Sequence, residues 1–154
     1  MRAGRISGVT LFELLIAIAV MGVLAAIGFN ISLSSIRATQ VREAANLVAR
    51  DVREARSQAQ RNSQNMTFAW SGNTYKVARQ GREASVPFKS LPRGVTLECL
   101  TNCGNSTVSY TAPYGELANG LGSVLRVSMA GTNIEPIEIR IMGVTGKVMT
   151  VQGS

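Results

Sequence analysis

The chain has no histidine, only two cysteines, few aromatic residues and four prolines in 154 residues. Each shortage excludes something. Without histidine, a serine or cysteine nucleophile lacks its usual general base. A structural zinc site needs four ligands, and Cys99 and Cys103 supply only two. No Gly-x-Ser-x-Gly elbow appears. Gly115, Gly120 and Gly122 form no phosphate-cradling loop, because no Lys-Ser/Thr follows them. Glu135 and Glu138 border an alternating isoleucine strand and read as its solvent side rather than as an acid/base pair. The composition therefore argues against an enzyme, and no cofactor or metal is expected.

Acids are also scarce: 9 Asp and Glu face 16 Lys and Arg, for a net charge of +7. The excess is uneven. Arg37 to Arg61 and Lys76 to Arg93 are strongly basic, whereas Gly94 to Ser154 is slightly acidic. Arg50, Arg53, Arg56 and Arg61, with Lys76, Arg79, Arg82, Lys89 and Arg93, make a basic face. Such a face suits phosphates of DNA, anionic lipid or an acidic neighbour, or it is simply solvated.

What is present is one long apolar run. Leu14 to Phe29 contains no polar side chain, and Val9 to Phe29 is about the length that spans a hydrocarbon core. Arg2 and Arg5 precede it, so the positive-inside rule places the N-terminus in the cytoplasm and the rest outside the inner membrane. The leader is short and no Ala-x-Ala-like site follows the run, unlike an ordinary secretory signal. Glu13 sits near its start, where an unpaired acid in lipid costs several kcal/mol. Beyond the membrane the compartment permits disulfides. Cys99 and Cys103 then read as one small loop-closing bridge, with two buried thiols as the alternative.

The helical pattern continues past the apolar run. Val41, Ala44, Ala45, Val48, Val52, Ala55 and Ala59 recur at helical spacing and form a narrow, alanine-rich stripe. No proline interrupts Val9 to Asn62, so a single helix is expected there. Asn62 to Asn65 ends it. Short strands follow at Met66–Trp70 and Thr74–Arg79, joined by a hairpin turn, and at Ser85–Phe88, Val95–Leu100 and Ser106–Thr111. Ala112 to Gly122 reads as loop. Val124–Met129, Ile137–Met142 and Lys147–Gln152 are the clearest strands. Trp70 and Tyr75 read as packing residues rather than a platform for bases.

Gly8-Val9-Thr10-Leu11-Phe12-Glu13-Leu14-Leu15, after its short basic leader, resembles the class III signal of type IV pilins and type II secretion pseudopilins. Ala49 to Ala59, Asn62, Met66-Thr67-Phe68 and the closing strands around Gly146-Lys147-Val148 are similar to the GspH/FimT/FimU group of minor pilins and pseudopilins. The resemblance implies an α+β, pilin-like fold: a long N-terminal helix, transmembrane in its first half, packed on a β-sandwich-like globular head. It divides the chain into a cleaved leader (1–8), a transmembrane half-helix (9–30), an amphipathic soluble half-helix (31–62) and a β-rich head (63–154). It implies cleavage between Gly8 and Val9 by a prepilin peptidase, N-methylation of Val9, and a subunit-assembly role for Glu13. The mature chain would hold 154 − 8 = 146 residues. Val9 stands where most pilins have Phe, and Asn30 where many major pilins have Pro. The implied partners are other pilin subunits, the prepilin peptidase, an inner-membrane assembly platform and the membrane, with DNA as a further candidate. The implied role is a minor pilin in a pilus tip or initiation complex, linked to DNA uptake in natural transformation. An H-type pseudopilin of type II secretion and a DNA-binding pilus subunit are the alternatives.

Overall fold

Thr10 is the last residue before the helix α1, Leu11–Asn62, in the computed structural model, which describes residues 10–153 and, within that range, all side chains except those of 28–32. Gly8 and Val9 lie outside the described residues, as does the leader. The helix matches the expected span from its first described turn to Asn62. It ends where the chain turns left-handed at Ser63, φ 49°, a common way to stop a helix. Asn65 then holds the exit. Its Oδ1 accepts from the Ala112 N–H at 2.9 Å, and its Nδ2 donates to Gln80 Oε1 at 2.9 Å.

The chain divides into two units after Ile36, within α1. In the first unit, large apolar side chains from Leu11 to Ile27 are exposed, Leu11 at 79%. Among the described residues, no helix is long and apolar enough to cross a membrane. The expected anchor, 9–30, extends over positions that are not described.

The second unit, from Arg37 onward, buries the predicted stripe. Val41, Ala44, Ala45, Val48, Val52, Ala55 and Ala59 are all buried, and Ala49 joins them. Small side chains let the helix axis approach the sheets closely, and large ones added there would overpack the core.

Two antiparallel sheets complete this unit. The first has the order β3-β2-β1-β5-β6, from β1 (Met66–Ser71), β2 (Thr74–Arg79), β3 (Lys89–Ser90), β5 (Thr107–Thr111) and β6 (Glu116–Asn119). The second has the order β4-β7-β8-β9, from β4 (Val95–Thr101), β7 (Val124–Met129), β8 (Ile137–Met142) and β9 (Lys147–Gln152). The β1–β2 hairpin pairs Ser71 with Thr74 around Gly72-Asn73, a two-residue turn. One core joins the helix and both sheets. Phe68, Trp70 and Tyr75 are packed within it, with ring centroids 5.7 Å and 5.6 Å from Phe68, so both aromatic residues serve packing.

Three expectations need correction. Ser85–Phe88 is not a strand. A 3-10 turn, Glu83–Ser85, stands there, with Glu83 Oε1 accepting from the Gly81 N–H at 3.0 Å and Ser85 Oγ donating to the Arg82 carbonyl at 2.8 Å. These local bonds, and Pro87 with no N–H to donate, delay pairing until Lys89. Ala112–Gly122 is not all loop, because it contains β6. Gly115, φ 67°, turns the chain with its N–H on the Thr111 carbonyl at 2.8 Å, which brings Leu117 opposite Tyr110. Glycine-rich flanks hid a strand of four residues. Finally, Glu138 is buried rather than on the solvent side. Arg126 Nη2 and Arg140 Nη2 reach its carboxylate at 3.2 Å and 2.9 Å and cover it. Those hydrogen bonds, from Arg140 first, hold its pKa below the ordinary carboxylate value.

Candidate functional site

Glu13 is held at the start of α1 by a cap. The Thr10 Oγ1 accepts the Glu13 backbone N–H at 3.2 Å, and the Thr10 carbonyl accepts the Leu14 N–H at 3.2 Å. Thr-x-x-Glu is the spacing of a capping box, and a negative charge in the first turn meets the positive end of the helix dipole. The cap fixes where Glu13 stands, on an exposed surface made by Leu11, Phe12, Leu14 and Leu15. No described residue pairs with its carboxylate. An acid framed by exposed leucines is a polar contact set in an apolar face. Thr10 was legible from its spacing to Glu13.

The basic residues separate by what they touch. Arg61 pairs with Glu54 at 2.7 Å, and Lys89 with Asp51 at 2.7 Å. Arg53 Nη2 donates to the Val148 carbonyl at 3.3 Å. Lys76 Nζ donates to the Glu83 carbonyl at 2.7 Å and sits 4.3 Å from the Phe88 ring centroid. Arg56 is half-buried, with its Nε enclosed and without a partner. Arg50, Arg79, Arg82 and Arg93 are exposed, and no described residue pairs with their side chains. The nine cations thus do not act as one free face. Several serve as ties within the head.

Asp51 was missed by the sequence reading. It lies on the buried stripe, between Val48 and Ala55, and the Tyr75 hydroxyl donates to its Oδ2 at 3.0 Å alongside Lys89. A carboxylate on an alanine–valine stripe must find partners, so its position was the signal. Burial, then the Asp51 contact, pushes the Tyr75 hydroxyl well above the ordinary tyrosine pKa. The helix is thereby pinned to β2 and β3.

Cys99 and Cys103 form a disulfide, with Cα atoms 5.6 Å apart. It closes the end of β4, where the loop is also held by Asn102 Nδ2 on the Leu121 carbonyl at 3.0 Å and by Ser123 Oγ on the Asn102 carbonyl at 2.9 Å.

Residues 4–29 match the prokaryotic N-terminal methylation motif, a stretch that contains Gly8, Val9 and Glu13. Two crystal structures of the type IV minor pilin FimU from Pseudomonas aeruginosa PAO1 are similar to the chain. One, in space group P21, has a TM-score of 0.58 at 13% identity, over 75% of this chain and 90% of that one. The other, in space group P65, has a TM-score of 0.57 at 14% identity, over 71% and 91%. The fold is pilin-like. At such identity the likeness is one of fold. No curated protein sequence matches the chain. Within the second unit, the helix stripe packs into one core with both sheets.

Proposed function

We propose that this chain is a non-enzymatic minor subunit of a type IV pilus. It joins a tip or initiation complex and supports assembly. The observation that carries this reading is the union, in one chain, of the N-terminal methylation motif with a pilin-like head. In this reading Val9 to Asn30 anchors the chain in the inner membrane, with Arg2 and Arg5 on the cytoplasmic side. Prepilin peptidase cuts between Gly8 and Val9 and methylates Val9. Glu13, presented by the Thr10 cap, meets an ammonium group at the N-terminus of a neighbouring subunit, which relieves the cost of an acid in lipid. The assembly platform then lifts the subunit into the filament.

The test compares Gly8→Ala and Glu13→Ala with the wild type in the native host. Gly8→Ala is expected to accumulate unprocessed. Glu13→Ala is expected to be processed but to enter filaments at least tenfold less. Normal incorporation of both variants would sink the proposal. Deletion of the gene separates pilus from secretion: loss of piliation with secretion intact supports the minor pilin. Loss of secretion with piliation intact would assign the chain to a type II pseudopilus instead.

A further inference from the structure

A cleft of about 290 Å³ opens in the head between α1 and the turn into β9. Arg53, Arg56, Ser57 and Gln60 form one wall, spaced so that they share a helix face. Gly146 and Lys147 form the other. Three cations line this cleft and no carboxylate does. Arg53 is already fixed by its bond to the Val148 carbonyl across the cleft. Arg56 is fixed by packing: a Cβ on Gly115 would come within 3.0 Å of its Cγ. Lys147 is exposed and stands on the opposite wall.

Arg56 Nε, on the cleft wall, is buried without a hydrogen-bond partner, and so is the hydroxyl oxygen of Tyr110, which does not itself line the cleft. The hydroxyl end of Tyr110 lies under Gly146, where a Cβ would meet its Cε1 at 2.5 Å. Burial pushes the Tyr110 hydroxyl above its ordinary pKa, against the opposing effect of the Arg56 charge. Folded proteins seldom leave buried polar groups unsatisfied, so each such atom has to be accounted for by its surroundings.

We propose that this cleft receives a carboxylate presented by an acidic segment of a neighbouring protein. A held guanidinium matches a planar carboxylate in two-point geometry, and Lys147 adds a charge from the facing wall. A nucleic acid strand would need a track of cations along its backbone. The unpartnered Arg79, Arg82 and Arg93 are carried by β2, the turn after it and the turn before β4, and none of them lines the cleft. The cleft thus fits one anionic group rather than a strand. That the neighbour is a filament subunit rests on the function proposed above, whereas the preference for a carboxylate does not.

The full-length chain in detergent, labelled with 15N, provides the test. Arginine Nε–H signals are followed at low ionic strength during titration with a capped tetraglutamate peptide, inorganic phosphate and a single-stranded oligonucleotide. The Arg56 signal is expected to shift saturably with the peptide. Half-saturation should rise about tenfold in Lys147→Gln, the scale of one lost charge-assisted contact. It should stay unchanged in Arg79→Gln, which alters net charge equally but lies off the cleft. Absence of a saturable shift overturns the proposal. So does an equal weakening in both variants, which would mean only diffuse attraction, and so does tighter saturation by phosphate or oligonucleotide than by peptide. None of these results depends on processing at Gly8 or on incorporation through Glu13, so a failure here is separable from a failure of the filament reading.

Discussion

The two halves of α1 use apolar side chains in opposite ways. From Leu11 to Ile27 the helix shows large leucine, isoleucine, valine and phenylalanine side chains to the outside. From Val41 to Ala59 it presents alanine and valine, and these are buried. A contiguous exposed apolar surface marks a place for another apolar phase or another protein. The buried stripe belongs to a core that the head completes for itself. One continuous helix therefore carries a part buried by the chain itself and a part whose apolar side chains the chain leaves exposed. Glu13 belongs to the second part and Asp51 to the first. Glu13 has no described partner, while Asp51 has Tyr75 and Lys89.

That contrast can be tested by perturbing each half and reading the stability of the head. The largest loss is expected from Phe68→Ala. Phe68 is fully buried beside Trp70 and Tyr75, and such truncations cost about 3–5 kcal/mol. Chemical denaturation of the detergent-solubilised chain measures it, and a loss below about 1 kcal/mol would show that the core does not hold the head together. Next comes Asp51→Ala, with an expected loss of about 2 kcal/mol, because Tyr75 is left with an unpaired buried hydroxyl. Lys89 is more than half exposed and adds little to that figure. Combining Asp51→Ala with Tyr75→Phe should cost less than the two single losses summed, and full additivity would deny their coupling. The smallest effect is expected from Leu15→Ala, which removes an exposed side chain of the first unit. Head stability should change by less than about 0.5 kcal/mol. A larger change would erase the distinction between the two halves of the helix.

Much of the helix was legible beforehand because its signals are periodic and repeated over many turns. Each residue of the predicted stripe is buried, and α1 ends at the expected Asn62. The last three strands kept their predicted limits for a related reason, since alternation in Val124–Met129 and Ile137–Met142 is set by one face in the core. The failures lie where a short segment depends on distant partners. β6 has only Leu117 as an apolar hook, and it exists because β5 is there to pair with it. Glu138 looked solvent-facing by alternation, yet two arginines from β7 and β8 close over it. Nor could the sequence sort the basic residues by what they touch. Charge along a sequence counts cations, but it cannot say which ones are already occupied by Glu54, Asp51 or a main-chain carbonyl.

By itself, the sequence determined the long helix, its apolar and amphipathic halves, the position of Glu13 five residues after Gly8, and the nearness of Cys99 to Cys103. These are local properties, fixed by spacing and side-chain chemistry within a few turns. Only the tertiary structure decided the pairing of Asp51 with Tyr75 and Lys89, the burial of Glu138, and the meeting of Arg53 and Arg56 with Lys147 across one cleft. The Arg53–Val148 bond across that cleft joins residues 95 positions apart. The energy of such contacts depends on which charges and carbonyls the folded sheets bring within hydrogen-bonding reach, and hydrogen bonds weaken steeply once distance and angle depart from the favoured range.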